Sequence, residues 1–167
     1  DGLFLAAMFG GETLTELRHS LLQAESEIEG GASPRVSPFA DLRDAAGLLQ
    51  RAGFALPVAD IERLTVSYAD ALALMRELRG MGETNVLQAR RRQALRRTTL
   101  LRAAEIYRER FAGNDGRIGA SFQIVYLHGW AAHESQQKPL APGSAKQRLA
   151  DALGGSERPA GEKARPR

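Results

Sequence analysis

The sequence predicts an α/β fold of three strands and four helices, on three observations. Leu3 to Met8 and Ile124 to Leu127 are short continuous apolar runs, the pattern of strands flanked on both sides. Val58 to Tyr68 alternates, with Leu64, Val66 and Tyr68 set against Arg63, Thr65 and Ser67, as in a strand with one wetter face. Between these runs, apolar residues recur every three or four positions, which is the helical period.

The opening strand, Leu3 to Met8, is expected to be covered on both faces. After Gly10-Gly11, Thr13-Leu14-Thr15-Glu16 has the spacing of a capping box, in which hydroxyl and carboxylate each satisfy a free backbone N–H. Leu14, Leu17, Leu21, Ala24 and Ile28 then form the stripe of a first helix of four turns. Ser37-Pro38 predicts a second helix start, with Phe39, Leu42, Ala46, Leu49 and Ala52 inward and Gly53 taking the left-handed closing position. The alternating strand leads to a third helix over 70–79, presenting Leu72, Met75 and Leu78 and broken by Gly80-Met81-Gly82. A fourth helix is expected to begin around Arg90-Arg91-Arg92, with Leu100, Ala104, Tyr107 and Phe111 inward. Asn114-Asp115-Gly116 forces a turn into the last strand, Ser121 to Trp130. The apolar centre of that strand suits a place between two others.

Charge separates the chain into two parts. Residues 134–167 hold seven Lys and Arg against four Asp and Glu, which is the whole net charge of +3, so residues 1–133 balance to zero. The expected division is therefore a folded part over 1–133 and a basic tail over 134–167 that is disordered, apart from a short helix around 145–153. Basicity confined to a tail poor in aromatic residues does not point to nucleic acid. With no Cys, a disulfide framework, a Cys-ligated zinc and a thiol nucleophile are all excluded. No stretch approaches the roughly 20 apolar residues of a membrane span.

Few motifs carry chemistry by themselves. Gly10-Gly11, after a strand and before a helix, fits either a ligand-facing strand-to-helix corner or a tight turn. Glu83 and Asn85, in a glycine-flanked loop, fit either substrate contact or a cap on the third helix. The arginines 90–92, 96 and 97 fit an acidic partner or phosphates, or, as the favoured reading, a solvated helix face or a crossing salt-bridge surface; without interleaved aromatics they do not point to single-stranded nucleic acid. His19, His128 and His133 lack metal-ligand spacing, so no metal site is expected; His19 reads as polar-facing and His128 as a core histidine with a satisfied partner. Neither a phosphate-binding loop nor a dinucleotide fingerprint is present.

Whole segments are more specific. Asp1-Gly2-Leu3-Phe4-Leu5-Ala6-Ala7-Met8-Phe9-Gly10-Gly11-Glu12-Thr13-Leu14-Thr15-Glu16-Leu17-Arg18 resembles part of the methyltransferase-like family of respiratory complex I assembly factors, relatives of biotin-synthesis-type methyltransferases. So do Glu29-Gly30-Gly31-Ala32-Ser33-Pro34, Ser37-Pro38-Phe39, Arg51-Ala52-Gly53-Phe54 and Leu78-Arg79-Gly80-Met81-Gly82-Glu83-Thr84-Asn85. Ile106-Tyr107-Arg108-Glu109 and Tyr126-Leu127-His128-Gly129-Trp130-Ala131-Ala132-His133-Glu134-Ser135-Gln136 complete an ordered set over residues 1–139.

The resemblance implies the C-terminal half of a class I, Rossmann-like S-adenosylmethionine methyltransferase fold, with strands in the order 5-7-6 and the last strand inserted antiparallel. A buried-type strand standing at the first residues, without an initial Met, agrees with a fragment. Residues holding S-adenosylmethionine are then expected upstream of Asp1, and Gly10, Gly11 and Thr13, with Glu83 and Asn85, are the substrate-side candidates; no catalytic residue is assigned. For the full-length parent the resemblance implies methyl transfer from S-adenosylmethionine or, alternatively, a complex I assembly or binding factor linked to arginine hydroxylation of a complex I subunit. Methyl transfer needs chiefly orientation of an in-line nucleophile, whereas hydroxylation needs an oxidising centre for which these residues show no ligand set. The location implied is the bacterial cytoplasm or the matrix side of the mitochondrion. The piece alone is expected to be inactive, not to bind the donor, and to self-associate through its first strand.

Overall fold

The computed structural model describes residues 1–88, 90–133, 135, 141, 144 and 146–156. The chain divides into two compact units, Asp1–His133 and Glu134–Arg167. The first contains β1 (Gly2–Phe9), α1 (Thr15–Glu29), α2 (Leu42–Arg51), β2 (Ala55–Tyr68), α3 (Ala71–Gly80), α4 (Arg97–Phe111) and β3 (Ile118–Ala131). The second contains α5 (Leu149–Leu153), which covers the end of the helix expected around 145–153; the rest of the tail expectation falls largely outside the described residues.

The three strands form one sheet in the order β1-β3-β2, with both pairings antiparallel. Phe9 and Glu62 both pair with Ile124, so β1 and β2 run in the same direction on either side of the last strand. This is the arrangement expected for strands 5-7-6. Its cause is visible along β3, where Ala120 and Val125 have no exposure at all and Phe122 and Leu127 are buried. A strand with two neighbours and helices on both faces must be apolar at consecutive positions.

Each sheet face has its own core. Ile118, Ala120 and Phe122 pack with Leu17 and Ala24 of α1, Leu74 of α3, and Ile106 and Tyr107 of α4. Val125 and Leu127 point the other way, onto Ala45 and Leu49 of α2. Fully burying one such aliphatic side chain contributes about 1.5–3 kcal/mol. The Tyr107 hydroxyl, inside the larger core, donates to the Gly119 carbonyl at 2.9 Å, and burial holds its pKa above the ordinary range.

Four expectations change. β1 is an edge strand beside β3 alone, and Leu3 (58%), Leu5 (69%) and Met8 (43%) are exposed, so it is not covered on both faces. Apolar runs record a capacity for burial, and the cover must come from neighbours. α2 begins at Leu42 with Asp41 as its cap, the carboxylate accepting from the Arg43 N–H at 2.8 Å. Ser37-Pro38 stays outside because Ala40 forms a parallel bridge with Gly10, which keeps that stretch extended. α4 begins at Arg97: Arg90 donates to the Leu87 carbonyl and Arg91 pairs with Glu29, contacts made from outside the helix. His128 is exposed on β3 and is no core histidine, whereas His19 is exposed as expected. Among the described residues no helix is long and apolar enough to cross a membrane.

Candidate functional site at the carboxyl end of the first strand

The corner between β1 and α1 is built by β3. Gly10 N–H donates to the Gln123 carbonyl at 2.7 Å, Glu12 N–H to Gln123 Oε1 at 3.2 Å, and Leu14 N–H to the Ser121 carbonyl at 2.8 Å. The buried Thr13 hydroxyl donates to the Gln123 carbonyl at 3.1 Å and accepts from its N–H at 3.0 Å. Glu16 accepts from the Ser121 N–H and hydroxyl. The expected capping box therefore does not form: hydroxyl and carboxylate are both used across the sheet, and α1 starts from Leu14 in the left-handed region (φ 56°) without a side-chain cap. With Thr13 N–H bonded to the Gly10 carbonyl as well, four of the five amides from Gly10 to Leu14 are occupied. Such a corner is a braced turn and has little left to offer an anion. Glycine at position 10 has a steric cause, since a Cβ there would stand 2.4 Å from Gln123 Oε1 and 2.9 Å from Val125 Cγ2.

Beside this corner lies a cavity of about 260 Å³. Phe9, Thr13 and Phe122 line it from the sheet, Leu17 and Leu21 from α1, and Met75 and Leu78 from α3. Phe9 meets Phe122 and, edge-on, Phe39, with ring centroids 5.9 and 5.7 Å apart. Arg79, Glu83 and Thr84 are exposed lining residues and mark its open side. Of the five residues singled out from the sequence, Thr13, Glu83 and Asn85 thus meet in one cavity, and Gly11 lines a separate one with Arg18 and Leu22. Gly10 lines neither and packs on Gln123.

The loop after α3 caps that helix, as one of its two readings had it. Gly82 (φ 84°) donates to the Arg79 carbonyl and Glu83 N–H to the Leu78 carbonyl, closing the helix, while the Glu83 side chain stands at the cavity's open side. Asn85 is a strut: its Nδ2 donates to the Pro34 carbonyl at 2.6 Å and its Oδ1 accepts from the Leu87 N–H at 3.1 Å.

Sequence reading missed the pair that holds the opposite wall. Glu25, fully buried, accepts from the Ser33 N–H at 2.8 Å and from Arg35 Nε at 2.7 Å. Arg35 Nη2 lies 2.5 Å from the same carboxylate but has no hydrogen-bond acceptor. An isolated buried carboxylate costs several kcal/mol, so this one is tolerated only with its donors in place. One signal was legible: Glu25 stands four residues after Leu21, on the apolar stripe of α1, where a charged residue needs a partner. Arg35 lines both cavities, as do Val36 and Phe39.

Of the arginine run, Arg91 joins a crossing surface whose other bridges come from Arg102. Arg91 pairs with Glu29, which also accepts from the Thr99 hydroxyl at 2.8 Å, and Arg102 bridges Glu27, Glu105 and Glu109. The hydrogen bond from Thr99, and then Arg91, holds the Glu29 carboxyl below its ordinary range; Arg102, and then Gln23, does the same for Glu27.

Comparison with known proteins places this geometry. The chain is 48% identical over 151 residues to the mitochondrial arginine-hydroxylase NDUFAF5 of Danio rerio, an overlap of 90% of this chain and 47% of that protein. It is 48% identical over 145 residues to the Homo sapiens protein of the same name, covering 87% of the chain and 42% of the relative. The malonyl-[acyl-carrier protein] O-methyltransferase of Laribacter hongkongensis is 36% identical over 143 residues, or 86% of the chain and 46% of the relative. The chain belongs to the class I methyltransferase-like family. No family model matches it.

The chain spans about half the length of its family relatives, 47% of the Danio rerio protein. Members named as methyltransferases imply S-adenosylmethionine as donor in the family; in this part of the fold the corner amides are already bonded and leave little for an anionic group to bind. What this part of the fold offers is a cavity wall, apolar inside and polar at its edge.

Proposed function

We propose that this chain forms the acceptor side of a methyltransferase-fold enzyme that modifies an arginine of a polypeptide partner, with a complex I subunit as the partner. The observation that carries it is the order of similarity: 48% identity to the arginine-hydroxylases against 36% to the O-methyltransferase, over nearly equal shares of the chain. Methyl transfer, placed first on the resemblance alone, becomes the second reading, supported by the 143-residue match to the methyltransferase. Under the methyl-transfer reading S-adenosylmethionine would bind the intact protein through residues other than those described and would supply the methyl group. Thr13 positions the β1–α1 corner and Asn85 ties the loops around the cavity, while Glu83 meets the incoming partner at the open side. The site of action is the cytoplasm in a bacterium or the matrix side in a mitochondrion, the hydroxylase relatives being named mitochondrial.

The deciding experiment incubates the intact protein with cell extract containing unassembled complex I subunits and maps peptides by mass spectrometry. With dioxygen as oxidant and a two-electron reductant from the extract, the expected product is an arginine heavier by one oxygen, the second oxygen atom leaving as water. A subunit or carrier protein heavier by one methylene, with no oxidised arginine, would replace hydroxylation by methyl transfer.

A further inference from the structure

Arg18 carries a charge that no acidic side chain among the described residues balances. We infer that the second cavity, which Arg18 lines, is a carboxylate subsite, in which Arg18 pairs with an acidic side chain of the polypeptide partner. The inference rests on the polypeptide-substrate reading above and adds to it a chemical requirement on the partner, an Asp or Glu near its modified arginine.

The charged residues lining that cavity are Arg18 and Arg35, and no carboxylate lines it among the described residues. The two arginines differ in their partners. Arg35 is neutralised by the buried Glu25 at 2.5 Å, whereas Arg18 enters none of the ion pairs of the described residues. Its Nη1 donates to the Gly11 carbonyl at 3.4 Å and its Nη2 to the Thr13 carbonyl at 3.3 Å. Carbonyl oxygens fix the head in place but bring no formal charge. They use two of the five N–H groups of a guanidinium, and among the described residues the others have no acceptor. The head also reaches back past the start of α1, the positive end of that helix dipole, and Glu16, the acid of the first turn, is committed to Ser121. The corner amides are bonded to β3, so it is this side chain that is left to hold an anion.

Charge selects the kind of anion. One unbalanced, half-buried cation matches a monoanion, and a phosphate dianion would bring a second charge against walls formed by Leu22, Pro34, Pro38, Phe39 and Leu87. A carboxylate is also the planar, two-oxygen complement of a guanidinium. The cavity shares Arg35, Val36 and Phe39 with the one beside β1, which puts it on the side of the fold where the partner is proposed to enter.

The full chain labelled with 15N-arginine is titrated with acetyl-Gly-Glu-Gly-amide, acetyl-Gly-Gln-Gly-amide, sodium acetate and sodium phosphate, the Arg18 Nε–H signal being assigned by its loss in Arg18→Lys. The glutamate peptide should shift that signal saturably, with an affinity that falls as salt is raised, and the glutamine peptide should bind about tenfold more weakly or worse, the loss of a charge-assisted pair. By calorimetry Arg18→Gln should abolish binding of the glutamate peptide, and Arg18→Lys should keep part of it. Ala32→Glu, which sets a carboxylate in the exposed wall of the cavity and leaves Arg18 and the corner in place, should abolish it too, and serves if Arg18→Gln does not fold. A glutamine peptide that binds as well as the glutamate peptide, or phosphate that moves Arg18 at lower concentration, overturns the carboxylate assignment. Acetate as effective as the glutamate peptide overturns the polypeptide source. Pairing at Arg18 needs no turnover, and the oxygen-addition assay needs no knowledge of the acid. An Arg18 shift without arginine oxidation therefore sinks the functional reading, and oxidation without the shift sinks the subsite.

Discussion

Replacing Gly10 by alanine tests the claim that β3 builds the corner behind the cavity. The new Cβ would lie 2.4 Å from Gln123 Oε1, 2.9 Å from Gln123 Cδ and 2.9 Å from Val125 Cγ2. The Gln123 amide can swing aside, but it then abandons the Glu12 N–H and leaves a partly buried donor unpaired, at about 1–3 kcal/mol. Val125 cannot give way as cheaply, being fully buried and β-branched, and the backbone of residue 10 is pinned by its own bond to the Gln123 carbonyl. Overpacking of that kind costs about 1–3 kcal/mol. Together these give a loss of about 2–6 kcal/mol, or roughly 4 °C of melting temperature per kcal/mol for a unit of this size. Urea unfolding followed by circular dichroism should show a lower midpoint at unchanged slope. Gly31→Ala, where a Cβ meets nothing within 4 Å, is the control and should stay within about 0.5 kcal/mol of the parent chain. In a Gln123→Ala background the cost of Gly10→Ala should shrink by about 1–2 kcal/mol, because one of the two clashes has gone. A Gly10→Ala chain as stable as its parent, or destabilised no more than Gly31→Ala, would refute this account of the corner.

Three further outcomes are expected. Leu56 holds φ 49° at the irregularity of β2 while 79% exposed, so Leu56→Asn should relieve left-handed strain without losing packing and stabilise the chain by about 0.5–1 kcal/mol in the same urea assay. Glu29 has its carboxyl lowered from the ordinary 4.5 by Thr99 and Arg91, so its contribution is present above that value and lost as pH falls through the lowered pKa; Glu29→Gln should flatten stability over that acid limb and leave its shape near neutrality unchanged. Leu5, 69% exposed on the open edge of β1, should promote association of the chain, and Leu5→Lys should shift its sedimentation profile toward the monomer, an effect absent from Leu149→Lys in the second unit.

Much of the element pattern was legible because it depends on local periodicity. The α1 stripe at Leu17, Leu21 and Ala24 is buried as its spacing requires, and Gly53 and Gly82 close α2 and α3 in the left-handed region. Helix starts were read less well. A Thr-x-x-Glu or Ser-Pro signature states only that a polar group is available for a cap, and long-range partners compete for it. Thr13 and Glu16 went to Gln123 and Ser121, more than a hundred residues away, and Ala40 was drawn to Gly10. For the cavity, Thr13, Glu83 and Asn85 were visible as turn and loop residues, while Arg35 and Glu25 were not singled out, although Glu25 stands on the apolar stripe of α1.

The amino-acid order alone determined that this is an α/β chain, that its last strand is the central one, and which family it resembles, because apolar period and ordered segments are properties of neighbours along the chain. Folding alone decided that Gln123 braces the first corner, that a buried carboxylate on α1 fastens the loop carrying Arg35, and that three scattered polar residues border one apolar cavity. Those outcomes depend on which donor reaches which acceptor across the sheet, a competition settled by distance in space.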